Sequence, residues 1–154
     1  MISNSLNLQI LFLLPLLFFA NPGTAQNNPD EIVEQFFIDY QDKGASEALD
    51  NLYSNNPWMN RKTDAVSNLK TQLEALNESF VGQFFGFEKI VEKRLTGSYV
   101  LLSYLAKYDR QPVRFTFQFY KPDDKWRTFS FQFDTDIDDE IEEAAKLYYL
   151  DLNK

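Results

Sequence analysis

Alternating phenylalanines over residues 113–133 are the feature that most constrains the fold of this 154-residue chain. Residues 112–121 (PVRFTFQFYK) and 125–134 (KWRTFSFQFD) place an apolar side chain at nearly every second position. Successive side chains of a strand point to opposite faces, so this period of two predicts two strands with one buried face each. Residues 122–124 (PDD) between them are typical of a turn. The two segments therefore predict an antiparallel hairpin.

The register of this hairpin follows from its apolar pattern, because a slip by one residue would mix the two faces. We expect Phe117 to lie opposite Phe129, and Tyr120 to lie opposite Trp126. The expected core face consists of Val113, Phe115, Phe117, Phe119, Phe129, Phe131 and Phe133. The expected outer face consists of Arg114, Thr116, Gln118, Tyr120, Trp126, Thr128, Ser130 and Gln132.

The expected outer face mixes aromatic and polar side chains, which is unusual for a surface that only contacts water. Tyr, Trp and Arg are the residue types enriched at protein interfaces. We therefore predict a partner-binding surface and leave two coverings open: a second copy of the chain, or the chain's own C-terminal helix. Its predicted residues are Arg114, Gln118, Tyr120, Trp126 and Thr128.

Helical patterns flank the strand-forming part of the chain. A first helix is predicted from Asn28 and Pro29, as cap and first position, to Gly44. Apolar spacing then predicts a short helix after Ser46 and a long one over residues 63–85. Residues 87–95 and 99–109 predict two more strands, and residues 137–150 a last helix with an acidic first turn. The apolar stripe of this last helix is Ile137, Ile141, Ala144 and Tyr148.

The first 25 residues carry no charged side chain and contain a mostly apolar run of 13 residues, 8–20. A membrane-spanning helix needs about 20 residues. Gly23 and Ala25 have the small-x-small spacing that a signal peptidase accepts. We therefore predict a signal peptide over residues 1–25, a single domain over residues 26–154, and an exported protein, periplasmic or secreted. No stable membrane span is expected after the signal is removed.

The amino-acid composition excludes several kinds of catalytic and binding site. The chain has no Cys and no His, and its net charge is −8. This excludes thiolate nucleophiles, Cys- or His-ligated zinc and disulfides, and an acidic chain is not expected to bind nucleic acid. Residues 134–138 (DTDID) begin like a calcium loop, but Asp139 replaces the turn glycine and Ala145 the final glutamate, so an EF-hand is excluded. We predict no metal site and no cofactor.

The element order, the F-F-G-F junction of residues 84–87 and the F-x-F-x-F-Y-K-P-x-x-K-W hairpin of residues 115–126 resemble the nuclear transport factor 2-like superfamily. The resemblance covers about residues 29–134. It implies an α+β fold in which N-terminal helices pack on a curved antiparallel sheet of about four strands, here with an extra C-terminal helix. These are patterns of architecture, and a shared fold does not determine function.

The resemblance also implies where a catalytic site would lie, because enzymes of this superfamily hold acids, His or Tyr inside the cone. A His–Asp pair is impossible here, since His is absent. An isomerase-like site would need a carboxylate base and a tyrosine donor. Tyr40 and Tyr104 are the candidate donors. The candidate bases are Asp39, Glu88, Glu92 and Asp109.

The strand over residues 87–95 decides between a reactive pocket and a filled core. If Phe87, Val91 and Leu95 face the core, then Glu88 and Glu92 face solvent. We therefore expect an inner surface that is nearly all aromatic or aliphatic, a filled core without an ionisable group placed for catalysis.

The resulting hypothesis is an exported, non-enzymatic module that binds a protein partner or forms a homodimer through the outer face of its C-terminal hairpin. The alternative is a small-ligand carrier or a ketosteroid-isomerase-like enzyme that holds a small apolar ligand in the cone interior. Tyr40, Trp58 and Tyr104 are the ligand-binding residues predicted for this alternative.

Overall fold

The structure is a computed structural model that describes residues 28–150, so the predicted signal peptide and its cleavage after Ala25 lie outside the described residues. It confirms the predicted α+β class: helices precede an open four-stranded antiparallel sheet, and a helix follows it. Every helix in the described range is too short or too polar to cross a bilayer. The elements are α1 (Pro29–Lys43), α2 (Ala45–Tyr53), a 3-10 turn (Met59–Arg61), α3 (Thr63–Glu74), α4 (Glu78–Val81), β1 (Phe84–Thr96), β2 (Tyr99–Tyr108), β3 (Val113–Tyr120), β4 (Arg127–Asp134) and α5 (Ile137–Leu150).

Helix α1 begins and ends as its sequence predicts. The side chain of Asn28 accepts a hydrogen bond from the Asp30 backbone N–H at 3.2 Å, and Pro29 occupies the first turn. Gly44 ends the helix with φ of +91°, a conformation that favours glycine. The Gly44 carbonyl then accepts the first hydrogen bond of α2, from Ala48 N–H at 3.1 Å. One glycine therefore joins two helices with almost no loop.

The long helix predicted over residues 63–85 is wrong, because α3 ends at Glu74. The side chain of Asn77 accepts a hydrogen bond from Ser79 N–H at 3.1 Å and caps the separate short helix α4. Such local hydrogen bonds of Asn compete with continuation of a helix. Leu73 is buried as the apolar spacing predicts, whereas Phe80 is exposed.

Gly82 brings the start of β1 close to the end of β2. Its φ is +84°, and a Cβ at this position would lie 2.6 Å from Asp109 Cβ. Beside it, Asp109 N–H donates to the Gln83 carbonyl at 2.9 Å, and Arg110 N–H donates to the Val81 carbonyl at 3.0 Å. A side chain at position 82 would therefore push apart the two ends of this strand pair.

The sheet order is β1-β2-β3-β4, and its inner face packs against α1 and α2. Phe36 and Phe37 of α1 enter an aromatic layer formed by β3 and β4. The Phe36 ring lies 5.2 Å from that of Phe117, and the Phe37 ring lies 5.6 Å from that of Phe115. Edge-to-face and offset stacked rings at such distances add to the stabilisation from burial. This layer is the centre of the hydrophobic core.

The predicted register of the β3–β4 hairpin is wrong. Phe117 pairs with Phe131 rather than with Phe129, and a bulge follows Gln118, so that Phe119 pairs with Thr128. An extra residue in one strand changes which face the next side chains occupy. Phe129, expected in the core, is therefore 53 % exposed. Thr128 and Trp126, expected on the outer face, are buried at 0 % and 8 % exposure.

Three hydrogen bonds hold Thr128 at this bulge. Its backbone N–H donates to Asn55 Oδ1 at 2.9 Å, and its carbonyl accepts from Asn56 Nδ2 at 2.8 Å. Its hydroxyl donates to the Leu52 carbonyl at 2.8 Å. The last carbonyls of a helix have no partner within the helix, so this hydroxyl satisfies one of them at the end of α2. The contact ties the loop after α2 to β4.

The expected faces of β1 are also wrong beyond Lys89. A register shift lies between Lys89 and Val91, after which Glu92 pairs with Leu102 and Arg94 pairs with Val100. Directly paired residues share a face, so Glu92 and Arg94 lie on the inner side with these two buried residues. Val91 and Leu95, expected in the core, are exposed.

Helix α5 is linked to the sheet through Arg114. The Arg114 guanidinium contacts Asp134 at 2.9 Å and also forms an ion pair with Glu140 in the first turn of α5. Beyond this turn, Ile141 and Tyr148 of the predicted apolar stripe are exposed. On the sheet, Tyr120 and Phe129 remain exposed too, so α5 does not cover this end of the outer face.

We expect Thr128→Val to lower the free energy of unfolding by about 1–3 kcal/mol, because the Leu52 carbonyl loses its buried partner while the side-chain shape is kept. Urea denaturation measures the change. Thr71→Val is the matched control, since the Thr71 hydroxyl donates to the Ser67 carbonyl at an exposed site. A change within about 0.5 kcal/mol is expected there. Equal losses in both variants would contradict a special role of Thr128.

Candidate binding site

The turn of the β3–β4 hairpin and the loop after α2 enclose a cleft that we name the hairpin groove. Its volume is about 340 Å³. Most of its wall is apolar, formed by aromatic rings, a methionine and a proline. The lining residues are Asn56, Trp58, Met59, Lys62, Tyr120, Pro122, Arg127 and Phe129.

The wall contributed by the loop is held by hydrogen bonds. Asn56 is buried, and its Oδ1 accepts from Trp58 N–H at 3.1 Å while its Nδ2 donates to the Thr128 carbonyl. The Asn56 carbonyl accepts from Met59 N–H at 3.0 Å. Trp58 is nevertheless 57 % exposed, and the Arg61 guanidinium lies 4.6 Å from the centre of its ring. The loop therefore presents a large aromatic surface from a fixed backbone.

The wall contributed by the sheet continues into a group of three rings on the outer face, which we name the outer aromatic cluster: Tyr99, Tyr120 and Phe129. The Tyr99 ring lies 5.9 Å from Phe129 and 6.5 Å from Tyr120. The Tyr99 hydroxyl donates to Gln118 Oε1 at 2.8 Å. The bulge makes this cluster, because it turns Phe129 to the side of Tyr99 and Tyr120.

The two charged side chains that line the hairpin groove are both cationic. Lys62 and Arg127 are in its lining, and no acidic side chain is among the described lining residues. Arg127 contacts Asp123 at 3.1 Å, but Asp123 is exposed, and exposed ion pairs are weak. A locally cationic cleft in a chain of net charge −8 is therefore a distinct feature of this surface.

The structure brings together some of the site residues predicted from the sequence and separates others. Tyr120, predicted for a partner, and Trp58, predicted for a ligand, share the hairpin groove. Gln118 lies on the outer face as predicted, and Arg114 lies at the far end of the same face. Trp126 and Thr128 belong to the inner side.

The sequence pattern does not identify Phe129 and Arg127 as candidate site residues. Phe129 was assigned to the core by strict alternation, and Arg127 has no apolar pattern to mark it. Their placement depends on the bulge, and the bulge depends on Asn55 and Asn56, more than 70 residues earlier in the chain. A local sequence pattern carries no signal for such a contact.

Ionisable groups lie at the edge of the inner layer, where the half-buried Asp30 and the exposed Lys89 approach the buried Tyr104. The Tyr104 hydroxyl donates to Asp30 Oδ1 at 2.9 Å, and Lys89 Nζ lies 2.5 Å from the same oxygen. Burial by itself would raise the pKa of Asp30, but these two partners outweigh burial and lower it. Burial and the Asp30 carboxylate both raise the pKa of Tyr104. Asp30 is thus a neutralised anion and a poor base.

Tyr40 belongs to a second hydroxyl pair, at the other end of the inner layer. Its hydroxyl oxygen lies 2.7 Å from that of Tyr108, and burial raises the pKa of both tyrosines. The two rings border a cleft of about 360 Å³ between α1, α3 and the start of β1. Both groups are uncharged donors or acceptors at neutral pH, which suits ligand binding better than proton abstraction.

Asp39, a candidate base from the sequence, is buried on α1 and fully engaged. It accepts hydrogen bonds from Asn51 at 2.8 Å and Gln35 at 3.0 Å, and Lys43 Nζ lies 2.9 Å away. Burial would raise the pKa of Asp39, but Lys43, Asn51 and Gln35 together outweigh it and lower the pKa. Its contacts join α1 to α2, which is a structural role.

Among residues 28–150, the acidic side chains do not gather into a group of three or more suited to a metal ion. Comparison with protein-family models, curated proteins and solved structures finds no match to this chain. The hairpin groove and the outer aromatic cluster are therefore interpreted from their own geometry.

We expect Asp39→Asn to lower the free energy of unfolding by about 2–3 kcal/mol at pH 7, because an amide replaces a buried acceptor of three donors. The folded pKa of Asp39 lies below its ordinary value of 3.8. The carboxylate's contribution to stability is therefore complete above that value and is lost as the pH falls through the lowered folded pKa. Urea denaturation across this acidic range measures the difference between wild type and variant.

Asp42→Asn, an exposed change on the same helix, is the control for this experiment. We expect it to change stability by no more than about 0.5 kcal/mol. A wild-type advantage over Asp39→Asn that does not shrink in acid would contradict the role assigned to the ionised carboxylate.

Proposed function

We propose that this chain is an exported, non-enzymatic binding module of nuclear transport factor 2-like type that self-associates through the outer face of its C-terminal hairpin. The outer aromatic cluster is the observation that carries this proposal. Phe129 and Tyr120 are 53 % and 44 % exposed. Large aromatic side chains are costly to leave in water and are the typical anchors of protein interfaces.

The form of the surface supports a second copy as the partner. The cluster lies on a sheet face, and a two-fold axis through it would place like rings of two copies against each other. Contiguous exposed apolar surface on a soluble domain often marks a protein interaction site.

The inner polar groups support a role without catalysis. Asp30 is paired with Lys89 and Tyr104, and Asp39 accepts from three donors. A general base needs a free acceptor and a pKa near the working pH. The pKa values of both carboxylates are lowered, away from neutral pH, and donors already bind Asp30 Oδ1 and both oxygens of Asp39.

A second candidate function is a small-ligand carrier, and the cleft beside Tyr40 and Tyr108 favours it. Its volume of about 360 Å³ is within the usual range for ligand pockets. The paired hydroxyls would orient one polar group of an otherwise apolar ligand. Native mass spectrometry of the purified protein separates the two functions, since a carrier retains a small molecule and a self-associating module shows dimers.

We expect the protein to form a dimer whose dissociation constant rises at least about tenfold in the variant Phe129→Ser, because an interface anchor is lost. Light scattering after size-exclusion chromatography over a concentration series measures the constant. Phe80→Ser is the matched control, since Phe80 is 61 % exposed on α4, away from the sheet face. A wild-type protein that stays monomeric at every concentration would refute self-association.

Export is tested separately. We expect the secreted or periplasmic protein to begin at Gln26, because the peptidase cleaves after the small residue Ala25. Amino-terminal sequencing of the mature protein measures this. Ala25→Asp should block cleavage and leave the precursor, whereas an unchanged mature terminus in that variant would show that the site is elsewhere.

A further inference from the structure

We propose that the hairpin groove binds a small organic anion with an aromatic or polycyclic body. Its apolar wall, its two lining cations and its lack of acidic lining residues carry this inference. The site adjoins the outer aromatic cluster, with which it shares Tyr120 and Phe129, but it is a concave cleft rather than a sheet face. Small-molecule binding here goes beyond the proposed self-association, and because both use Tyr120 and Phe129, a ligand and a second copy would compete for these rings.

The groove is formed before any ligand arrives. Asn56 connects the two walls, because it bonds to Trp58 on the loop and to Thr128 on the strand. At the turn, Lys121 N–H donates to the Ser98 carbonyl at 2.8 Å, which fixes the start of the turn that carries Pro122. Binding to such a site orders few additional groups, and preorganisation of this kind increases affinity.

The size and lining of the groove indicate the body of the ligand. A volume of about 340 Å³ accommodates a small polycyclic molecule and lies at the lower end of the range for ligand pockets. Trp58, Tyr120 and Phe129 offer flat surfaces on which an aromatic ring system can stack. Met59 is a flexible side chain that adapts to the shape of the ligand.

The cationic side chains of the groove indicate the polar group of the ligand. Lys62 and Arg127 both line the groove, and Arg61 lies over the Trp58 ring at 4.6 Å. A carboxylate, sulfonate or phosphate accepts charge-assisted hydrogen bonds from such donors. Asp123 already contacts Arg127, but Asp123 is exposed and its attraction is screened by solvent. A cationic ligand would meet two like charges and is disfavoured.

A pair of fluorescent probes tests the proposal. The anion 8-anilino-1-naphthalenesulfonate and neutral N-phenyl-1-naphthylamine share an apolar body and differ in the sulfonate. Each is titrated into the full protein. We expect the anion to bind about tenfold more tightly than the neutral probe, as a charge-assisted hydrogen bond would provide.

Variants locate the binding. Lys62→Gln combined with Arg127→Gln should weaken the anionic probe about tenfold and leave the neutral probe within about twofold. Trp58→Ala should weaken both probes, because the apolar wall is lost. The matched control is Lys93→Gln combined with Lys146→Gln, which removes the same charge from exposed positions outside the groove lining. It should leave both probes unchanged.

Equal affinity for the two probes, or equal losses in the groove variant and the charge-matched control, would overturn the inference. So would undiminished binding of both probes to Trp58→Ala. Circular dichroism shows whether each variant is folded, and an unfolded double variant is replaced by the single change Lys62→Gln, with Lys93→Gln as its control. Because none of these changes alters the outer aromatic cluster, loss of probe binding and loss of self-association are distinguishable.

Discussion

The inward orientation of Thr128 is the constraint on which the candidate binding surface depends. Its N–H, carbonyl and hydroxyl all bond to residues 52–56, at 2.8–2.9 Å. A bulge beside these bonds rotates the following residue, Phe129, to the outer face. The same contacts hold the loop that carries Trp58. One buried threonine thus determines both the outer aromatic cluster and the two walls of the hairpin groove.

The polar groups beside the aromatic layer connect α1 to its neighbouring elements. Asp30 joins its first turn to β1 and β2 through Lys89 and Tyr104, and Asp39 joins its last turns to α2 through Asn51. Between them, Phe36 and Phe37 pack into the aromatic layer. The aromatic rings bury the inner face of α1, and the buried Asp39 keeps its partners in place, since an unpaired buried charge would be costly.

Local chemistry in the sequence predicted most of the architecture. The cap at Asn28, the break at Gly44, the four strands and the extent of α5 follow from capping residues and periodicity. The candidate site is predicted less well, because it depends on the bulge in the β3–β4 pair and on distant hydrogen bonds. Strict alternation assigned Phe129 and Trp126 to the wrong faces. Binding by Tyr120 and Trp58 stays a prediction, and nothing local in the sequence indicates that these two residues share one cleft.

Strand β1 is long and irregular. It has 13 residues, three register shifts and charged side chains such as Lys89, Glu92 and Arg94 on its inner side. β1 is an edge strand, and a long, regular edge strand is a template with which other chains can pair and aggregate. Bulges bend such an edge strand, and an added strand would have to desolvate the charged side chains, which is unfavourable. The irregularities of β1, which strict alternation does not predict, thus protect this edge of the sheet against the addition of further strands.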